Sequence, residues 1–200
     1  MDDDIKKWLE KDGELFLKKI GLKEGQIVLD FGAGKGHYAI PAAKIVGSKG
    51  KIYTFDKDKN ALSKLRETAR RFGLKNIVIM NGDTKVPLED NSMDVVLCYD
   101  VVHYMKNRTL IYEEVHRVLK LEGFFSLYPK HYKDDYPLME LASRRLGAVI
   151  KEVEKSEFAL KDKLFMECFH DDYYNEGFIL NFTPLGGRSS LTEVTSVETL

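Results

Sequence analysis

Short apolar or β-branched runs alternate with longer stretches of helical period along most of the chain. That alternation predicts an α/β architecture: a mostly parallel sheet with helices on both faces. Gln26 to Phe31 reads as the first strand, a glycine cluster follows, and Tyr38 to Val46 carries apolar residues at helical spacing. Lys51 to Phe55 predicts a second strand, with Asp58 capping an amphipathic helix over Ala61 to Phe72 that Gly73 ends. Asn76 to Met80 gives a third strand. Met93 to Tyr99 gives a fourth, rich in Val and Leu as a strand covered on both faces should be. A helix over Arg108 to Lys120 is expected to end near Gly123, before a fifth strand at Phe124 to Tyr128. After Pro129 the pattern changes. A long helical stretch, Tyr136 to Glu154, leads into extended runs at Lys163 to Phe169 and Phe178 to Thr183, whose short polar link predicts an antiparallel pair. Ahead of the sheet, Ile5, Trp8 and Leu9 mark one apolar stripe and Leu15, Phe16 and Ile20 another, with Gly13 between them. Two short helices within a helical segment 2–21 are expected there.

A length of 200 residues suits one domain of ordinary size, expected over residues 1–184. Residues 185–200, rich in Ser and Thr with few large apolar side chains, read as a flexible tail. The 31 Lys and Arg nearly cancel the 32 Asp and Glu, so net charge supplies no field for a polyanion and no nucleic acid partner is expected. The acidic start, Met1-Asp2-Asp3-Asp4, and the lack of a membrane-spanning apolar run predict a cytoplasmic protein with no membrane association. Cys98 and Cys168 stand in no paired spacing, which argues for buried thiols over a disulfide or a cysteine-based zinc site.

Ile27-Val28-Leu29-Asp30-Phe31-Gly32-Ala33-Gly34-Lys35-Gly36 carries most of the chemical information. Glycines after a strand permit a tight turn and let a ligand approach the backbone, while the next helix offers unpaired N–H groups. A dinucleotide fingerprint would place its third glycine at position 37, which is His37. The spacing therefore counts against a nicotinamide cofactor.

With its context, this stretch resembles the first motif of the class I S-adenosylmethionine-dependent methyltransferases, and the likeness runs from about Leu15 to Phe125. Asp56 closes the second strand, where an acidic side chain accepts from both ribose hydroxyls. Asn81-Gly82-Asp83-Thr84 follows the third strand, where this family uses an acid toward the adenine amino group. Met93 to Tyr99, with Asp94 at its start, is similar to the family's fourth strand, and Glu114 to Gly123 resembles its helix and turn before the fifth. Leu121-Glu122-Gly123 departs from the family's common Pro-Gly-Gly. The resemblance implies a Rossmann-like doubly wound sheet of seven strands, mainly parallel, ending in an antiparallel hairpin. It implies S-adenosylmethionine as cofactor, with S-adenosylhomocysteine as product. The cofactor-binding residues it implies are Asp30, Gly32, Ala33, Gly34, Tyr38, Asp56, Lys57, Asp83, Thr84 and Asp100. Glu114 and Arg117 read as structural.

Methyl transfer is an in-line displacement from an activated sulfonium, so the protein must chiefly align the reactants and exclude water. A base is needed where the acceptor must lose a proton, and His103, after the fourth strand, is the candidate catalytic residue. Asp100 and Tyr104 share that segment. Acceptor specificity is expected in the N-terminal segment with Trp8, read as a lid or as packing on the sheet, and in Lys130 to Tyr136 with His131, Tyr132 and Tyr136. Cys168, His170, Asp171 and Asp172 have the residue types of a metal site, but their place between two strands reads as a solvated turn, so no metal is expected. The expected acceptor is a small molecule, with a protein acceptor as the alternative. A non-catalytic sensor or partner subunit that holds the cofactor is the competing class. Oligomeric state is not readable from the sequence.

Overall fold

Val28 and Leu29, adjacent on one strand, serve different cores, because successive side chains of a strand point to opposite faces. The same alternation sends Val95, Leu97 and Tyr99 to one core and Val96 and Cys98 to the other. Continuous apolar runs at these positions therefore fit a sheet covered on both sides. The computed structural model describes residues 3–186. Its strands are β1 (Ile27–Phe31), β2 (Lys51–Asp56), β3 (Ile77–Asn81), β4 (Met93–Tyr99), β5 (Leu119–Tyr128), β6 (Phe158–His170) and β7 (Tyr173–Pro184). They form one sheet in the order β3-β2-β1-β4-β5-β7-β6. The first five strands pair in parallel, and β7 enters antiparallel between β5 and β6. This is the Rossmann-like seven-stranded sheet with a terminal antiparallel hairpin that the resemblance implies.

The helices are α1 (Asp3–Lys7), α2 (Gly13–Lys19), α3 (Ala39–Val46), α4 (Lys59–Arg71), α5 (Thr109–Val118) and α6 (Leu146–Glu154). α2, α3 and α4 pack on one face; α5 and α6 pack on the other. Asp58 caps α4 as expected, accepting from the N–H groups of Asn60 and Ala61.

Four local expectations are corrected. The two N-terminal helices are one continuous run, joined by a π-helical turn over Trp8–Asp12. Gly13 does not break it; a Cβ there would meet Pro41 Cγ at 2.8 Å, so the glycine admits α3. Likewise, Gly123 ends no helix. α5 stops at Val118, β5 starts at Leu119, and a Cβ on Gly123 would meet the Asp94 carbonyl at 2.7 Å. The stretch 136–154 is a 3-10 turn at Met139–Leu141 and then α6. Its start cannot be helical because Tyr136 precedes Pro137 and both Tyr136 and Met139 take positive φ. Finally, β6 and β7 extend to a two-residue turn at Asp171 and Asp172 (φ 48° and 73°), the conformation that matches strand twist in tight hairpins. The predicted tail lies mostly at 187–200, outside the described residues. Among the described residues, no helix is long and apolar enough to cross a membrane.

Candidate functional site

Strand order reverses between β1 and β4, and in open α/β sheets the crevice beyond the strand ends at that point is where ligands bind. A cavity of about 680 Å³ opens there. Its walls come from the ends of β1, β2 and β4 and from the tip of the β6–β7 hairpin.

The floor is the glycine loop. Gly32 and Ala33 donate their N–H groups to the Phe55 carbonyl (2.7 and 3.2 Å), which ties the loop to the end of β2. Gly32 has φ +79°, and a Cβ on it would lie 2.1 Å from Val101 Cγ2, so only glycine lets the segment after β4 close against the loop. Gly34 donates to Asp56 Oδ2 (2.8 Å), while the Asp58 N–H donates to Asp56 Oδ1 (2.8 Å). Asn81 donates its amide to the carbonyls of Asp56 and Lys57 (2.9 and 3.1 Å), fixing the turn that presents Asp56.

Asp30 is almost wholly buried at the end of β1. Its carboxyl pKa is raised to about 7, mainly by burial and then by the neighbouring Asp56 charge, with the Ala39 N–H opposing the shift. Oδ2 of Asp30 has no hydrogen-bond partner although it is buried in the cavity wall. A buried carboxylate oxygen in this state calls for a cationic or donor ligand.

At the end of β4, Asp100 takes φ +61° and donates its N–H to the Tyr128 carbonyl (3.1 Å). Asp100 Oδ2 lies 2.6 Å from His170 Nδ1. The hairpin tip folds over the loop: Lys35 pairs with Asp172, and His37 Nε2 stands 3.2 Å from Asp172 Oδ1. Burial lowers the His37 pKa to about 4. Both members of the Lys35–Asp172 pair keep substantial solvent contact. Lys35→Ala is accordingly expected to change stability by less than about 1 kcal/mol, measured by urea unfolding. Tyr38 anchors the hairpin more deeply, its hydroxyl donating to the Phe169 carbonyl (2.8 Å) and accepting from the Phe169 N–H (3.1 Å).

Of the residues expected from sequence, Asp30, Gly32, Ala33, Gly34, Tyr38, Asp56, Lys57, Asp83 and Asp100 all line the cavity. Thr84 and His103 do not line it. The His103 side chain is wholly inaccessible, against Tyr104 and His131 with ring centroids 4.0 and 4.7 Å away. Burial, reinforced by His131, His170 and Lys130, depresses its pKa to about 3. Trp8 sits in the core below the hairpin, stacked on Phe169 at 5.3 Å, so the N-terminal helix buttresses the roof. Sequence reasoning passed over Phe169 and Met105 as lining residues and took His170 as part of a solvated turn. Contacts such as Tyr38 with Phe169, 131 positions apart, leave no local signal. Asp94 and Glu114 are structural. Asp94 accepts from the Ile27 N–H and Lys120 (both 2.7 Å), and Glu114 accepts from the Val86 N–H (2.7 Å) and pairs with Arg117.

A sheet of this order, with a glycine loop after its first strand and an acid closing its second, defines the class I S-adenosylmethionine-dependent methyltransferase domain. The chain belongs to the methyltransferase-domain family, whose model matches residues 22–177. It is 37% identical over 83 residues to a probable cobalt-precorrin-6B C(15)-methyltransferase (decarboxylating) of Saccharolobus solfataricus, a match covering 41% of this chain and 42% of that protein. It is 28% identical over 182 residues to sterol 24-C-methyltransferase ERG6A of Gibberella zeae, covering 85% of this chain and 47% of the relative. The chain thus matches less than half the length of these curated relatives. A crystal structure of a SAM-dependent methyltransferase from Aquifex aeolicus superposes with a TM-score of 0.75 at 26% identity, covering 92% of this chain and 95% of that one.

Proposed function

We propose that this protein transfers a methyl group from S-adenosylmethionine to a small-molecule acceptor. The observation that carries the reading is the convergence of Asp30, the glycine loop and Asp56 on one cavity at the strand-order reversal. These residues fit the cofactor. Asp30, with its unpartnered buried oxygen, suits the methionine ammonium, and Gly32, Ala33 and Gly34 bring backbone close to the methionine portion. Each oxygen of Asp56 accepts one backbone N–H and keeps a second lone pair for a ribose hydroxyl, with Lys57 beside it. Asp83, which reaches the cavity, would serve the adenine end.

When bound, the sulfonium supplies an already activated methyl group. The chain's own task is to hold the reactants in line and keep water out. Tyr38, Tyr99 and Phe169 give the far wall an apolar surface, and the hairpin tip covers it. His103 is a poor base here, because it lies outside the cavity and binds a proton weakly. Asp100, expected from the sequence as a cofactor contact, lines the cavity together with His170, and in this reading the two would lie toward the acceptor end.

A small acceptor is supported by the names of similar proteins, which include a demethylmenaquinone methyltransferase of Geobacillus stearothermophilus alongside the precorrin and sterol enzymes. A cytoplasmic location is consistent with Cys98 and Cys168, both free buried thiols.

Calorimetry with S-adenosylmethionine, S-adenosylhomocysteine and the nicotinamide dinucleotides tests the cofactor. Binding of the adenosylated pair alone is expected, and binding of a nicotinamide dinucleotide alone would overturn the reading. Asp56→Ala should weaken S-adenosylhomocysteine binding by about 1–3 kcal/mol, the loss of charge-assisted hydrogen bonds. Unchanged affinity in the folded variant would remove Asp56 from the ribose site. Radiolabelled methyl transfer into extracted metabolites, with no label in macromolecules, is the expected acceptor result; label in protein alone would replace the small molecule with a protein acceptor.

A further inference from the structure

Three side chains from separate parts of the chain meet where the end of β4 faces the tip of the hairpin. Asp100 follows β4, His131 follows β5, and His170 ends β6. One potential ligand atom from each lies within 4.8 Å of the others. Both histidines are buried and Asp100 is partly so. Two imidazoles and one carboxylate are a donor set suited to a first-row divalent ion, leaving coordination positions open to a substrate. We propose that Asp100, His131 and His170 bind a divalent first-row transition-metal ion on the acceptor wall of the cavity.

The hydrogen bonds around the three residues orient them as ligands. His131 Nδ1 lies 3.0 Å from the Tyr136 carbonyl oxygen. A carbonyl only accepts, so Nδ1 carries a hydrogen and Nε2 is the nitrogen available to a metal ion. His170 Nε2 stands 3.3 Å from the exposed Asp171 Oδ2, while Nδ1 faces Asp100. To ligate both Asp100 Oδ2 and His170 Nδ1, the ion would displace the hydrogen between them and the two side chains would move apart, because their 2.6 Å separation is shorter than two bonds of roughly 2 Å span at ordinary coordination angles. Backbone contacts hold the ligands in position: Asp100 and His131 have φ of 61° and 63°, and the His131 N–H donates to Asp135 Oδ2 at 3.3 Å. The nearby Lys130 ammonium is engaged by Asp135 Oδ1 at 2.7 Å.

A second observation points to the same place. His103 is wholly buried, yet neither of its ring nitrogens has a hydrogen-bond partner. Its Nδ1 lies 3.6 Å from Asp100 Oδ1, which is itself buried without a partner. Asp100 Oδ1 and the facing His103 Nδ1 are thus both buried without a hydrogen bond, and a bound ion is one of the features that accounts for such groups. Because Asp100 and His170 line the cavity, the ion would present its free positions to a hydroxyl or carbonyl oxygen of the acceptor. That consequence rests on the methyl-transfer reading, but ion binding does not.

The test uses the full chain after treatment with a chelator. Co2+ alone, followed by visible d–d absorption, and Zn2+ alone, followed by calorimetry, should each saturate at one ion per chain. His131→Gln and His170→Gln should each weaken binding by at least about tenfold. His116→Gln, on α5 and outside the cluster, should leave it unchanged. Where a variant fails to fold, the wild-type protein decides: with 15N-labelled histidine, Zn2+ should shift the ring resonances of His131 and His170 and leave those of His116 in place. No uptake by the wild type, or binding equally strong in both folded variants, would overturn the proposal. Parallel titration with S-adenosylhomocysteine separates the two readings. S-adenosylhomocysteine binding without ion binding sinks the metal site alone, and ion binding without S-adenosylhomocysteine binding sinks the methyl-transfer reading.

Discussion

Asp30→Asn should stabilise the unliganded protein while weakening its hold on S-adenosylmethionine. The two effects have one cause. Burial has raised the carboxyl pKa from 3.8 to about 7. The folded state therefore holds a proton that the unfolded chain releases, and stability from this group is full below pH about 4 and lost as pH rises to about 7. At higher pH the ionised group costs on the order of 4 kcal/mol, and an asparagine, itself imperfectly partnered, gives back about 1–3 kcal/mol of that. Urea unfolding should show the variant's advantage opening between pH 4 and 7 and constant above. Binding moves the other way, because the ammonium of the ligand loses its charged partner: affinity should fall by about 1.5–3 kcal/mol, roughly 10- to 150-fold. Wild-type affinity should also drop up to about tenfold per pH unit below 7, while the variant's stays flat. Were stability and affinity to fall together in Asp30→Asn, the side chain would be a structural strut for α3 and the glycine loop instead of a cofactor contact.

The parts of this molecule that were legible in the sequence are those governed by neighbours along the chain. Asp58 capping α4 and the doubly covered β4 follow from propensity and periodicity within a few residues. The glycine loop and Asp56 could be placed because strand, turn and helix follow each other without interruption. Failures occurred where a distant contact decides the local conformation. Gly13 and Gly123 look like stops, but each is small because another segment crosses it, Pro41 in one case and the Asp94 carbonyl in the other. Positions 136–154 carry helical spacing throughout, yet the Tyr136–Pro137 junction and two positive φ values keep an α-helix from starting there, and α6 begins only at Leu146. The acceptor wall was the least legible. His170 reaches Asp100 across 70 positions, and the link depends on how far β6 extends and on the turn at Asp171 and Asp172 that aims the hairpin tip at the cavity.

Trp8→Ala should cost about 3–5 kcal/mol of stability, the usual range for removing a large buried aromatic. The indole is 1% exposed and touches four rings: Phe16, Tyr38, Phe169 and Tyr174, at centroid distances of 5.3 to 6.0 Å. Its Nε1 donates to the His37 carbonyl at 2.8 Å, which ties the N-terminal helix to the segment after the glycine loop. Truncation would leave a cavity between α1–α2, α3 and the hairpin and would orphan that carbonyl. Trp8→Phe keeps much of the ring contact and loses the hydrogen bond, so it should cost less, on the order of 1–2 kcal/mol. Because Trp8 is the sole tryptophan, unfolding of both variants is best followed by circular dichroism. Cofactor affinity should fall as well, since Tyr38 and Phe169, which the indole supports, line the cavity. The two variants also decide what the N-terminal segment does. A lid that closes over bound ligand contributes little to the free protein, so Trp8→Ala would then change stability by less than about 1 kcal/mol and act on turnover. A buttress gives the reverse order, a large loss in the free protein and a smaller one in binding, and a centroid stacking distance of 5.3 Å on Phe169 places Trp8 in that role.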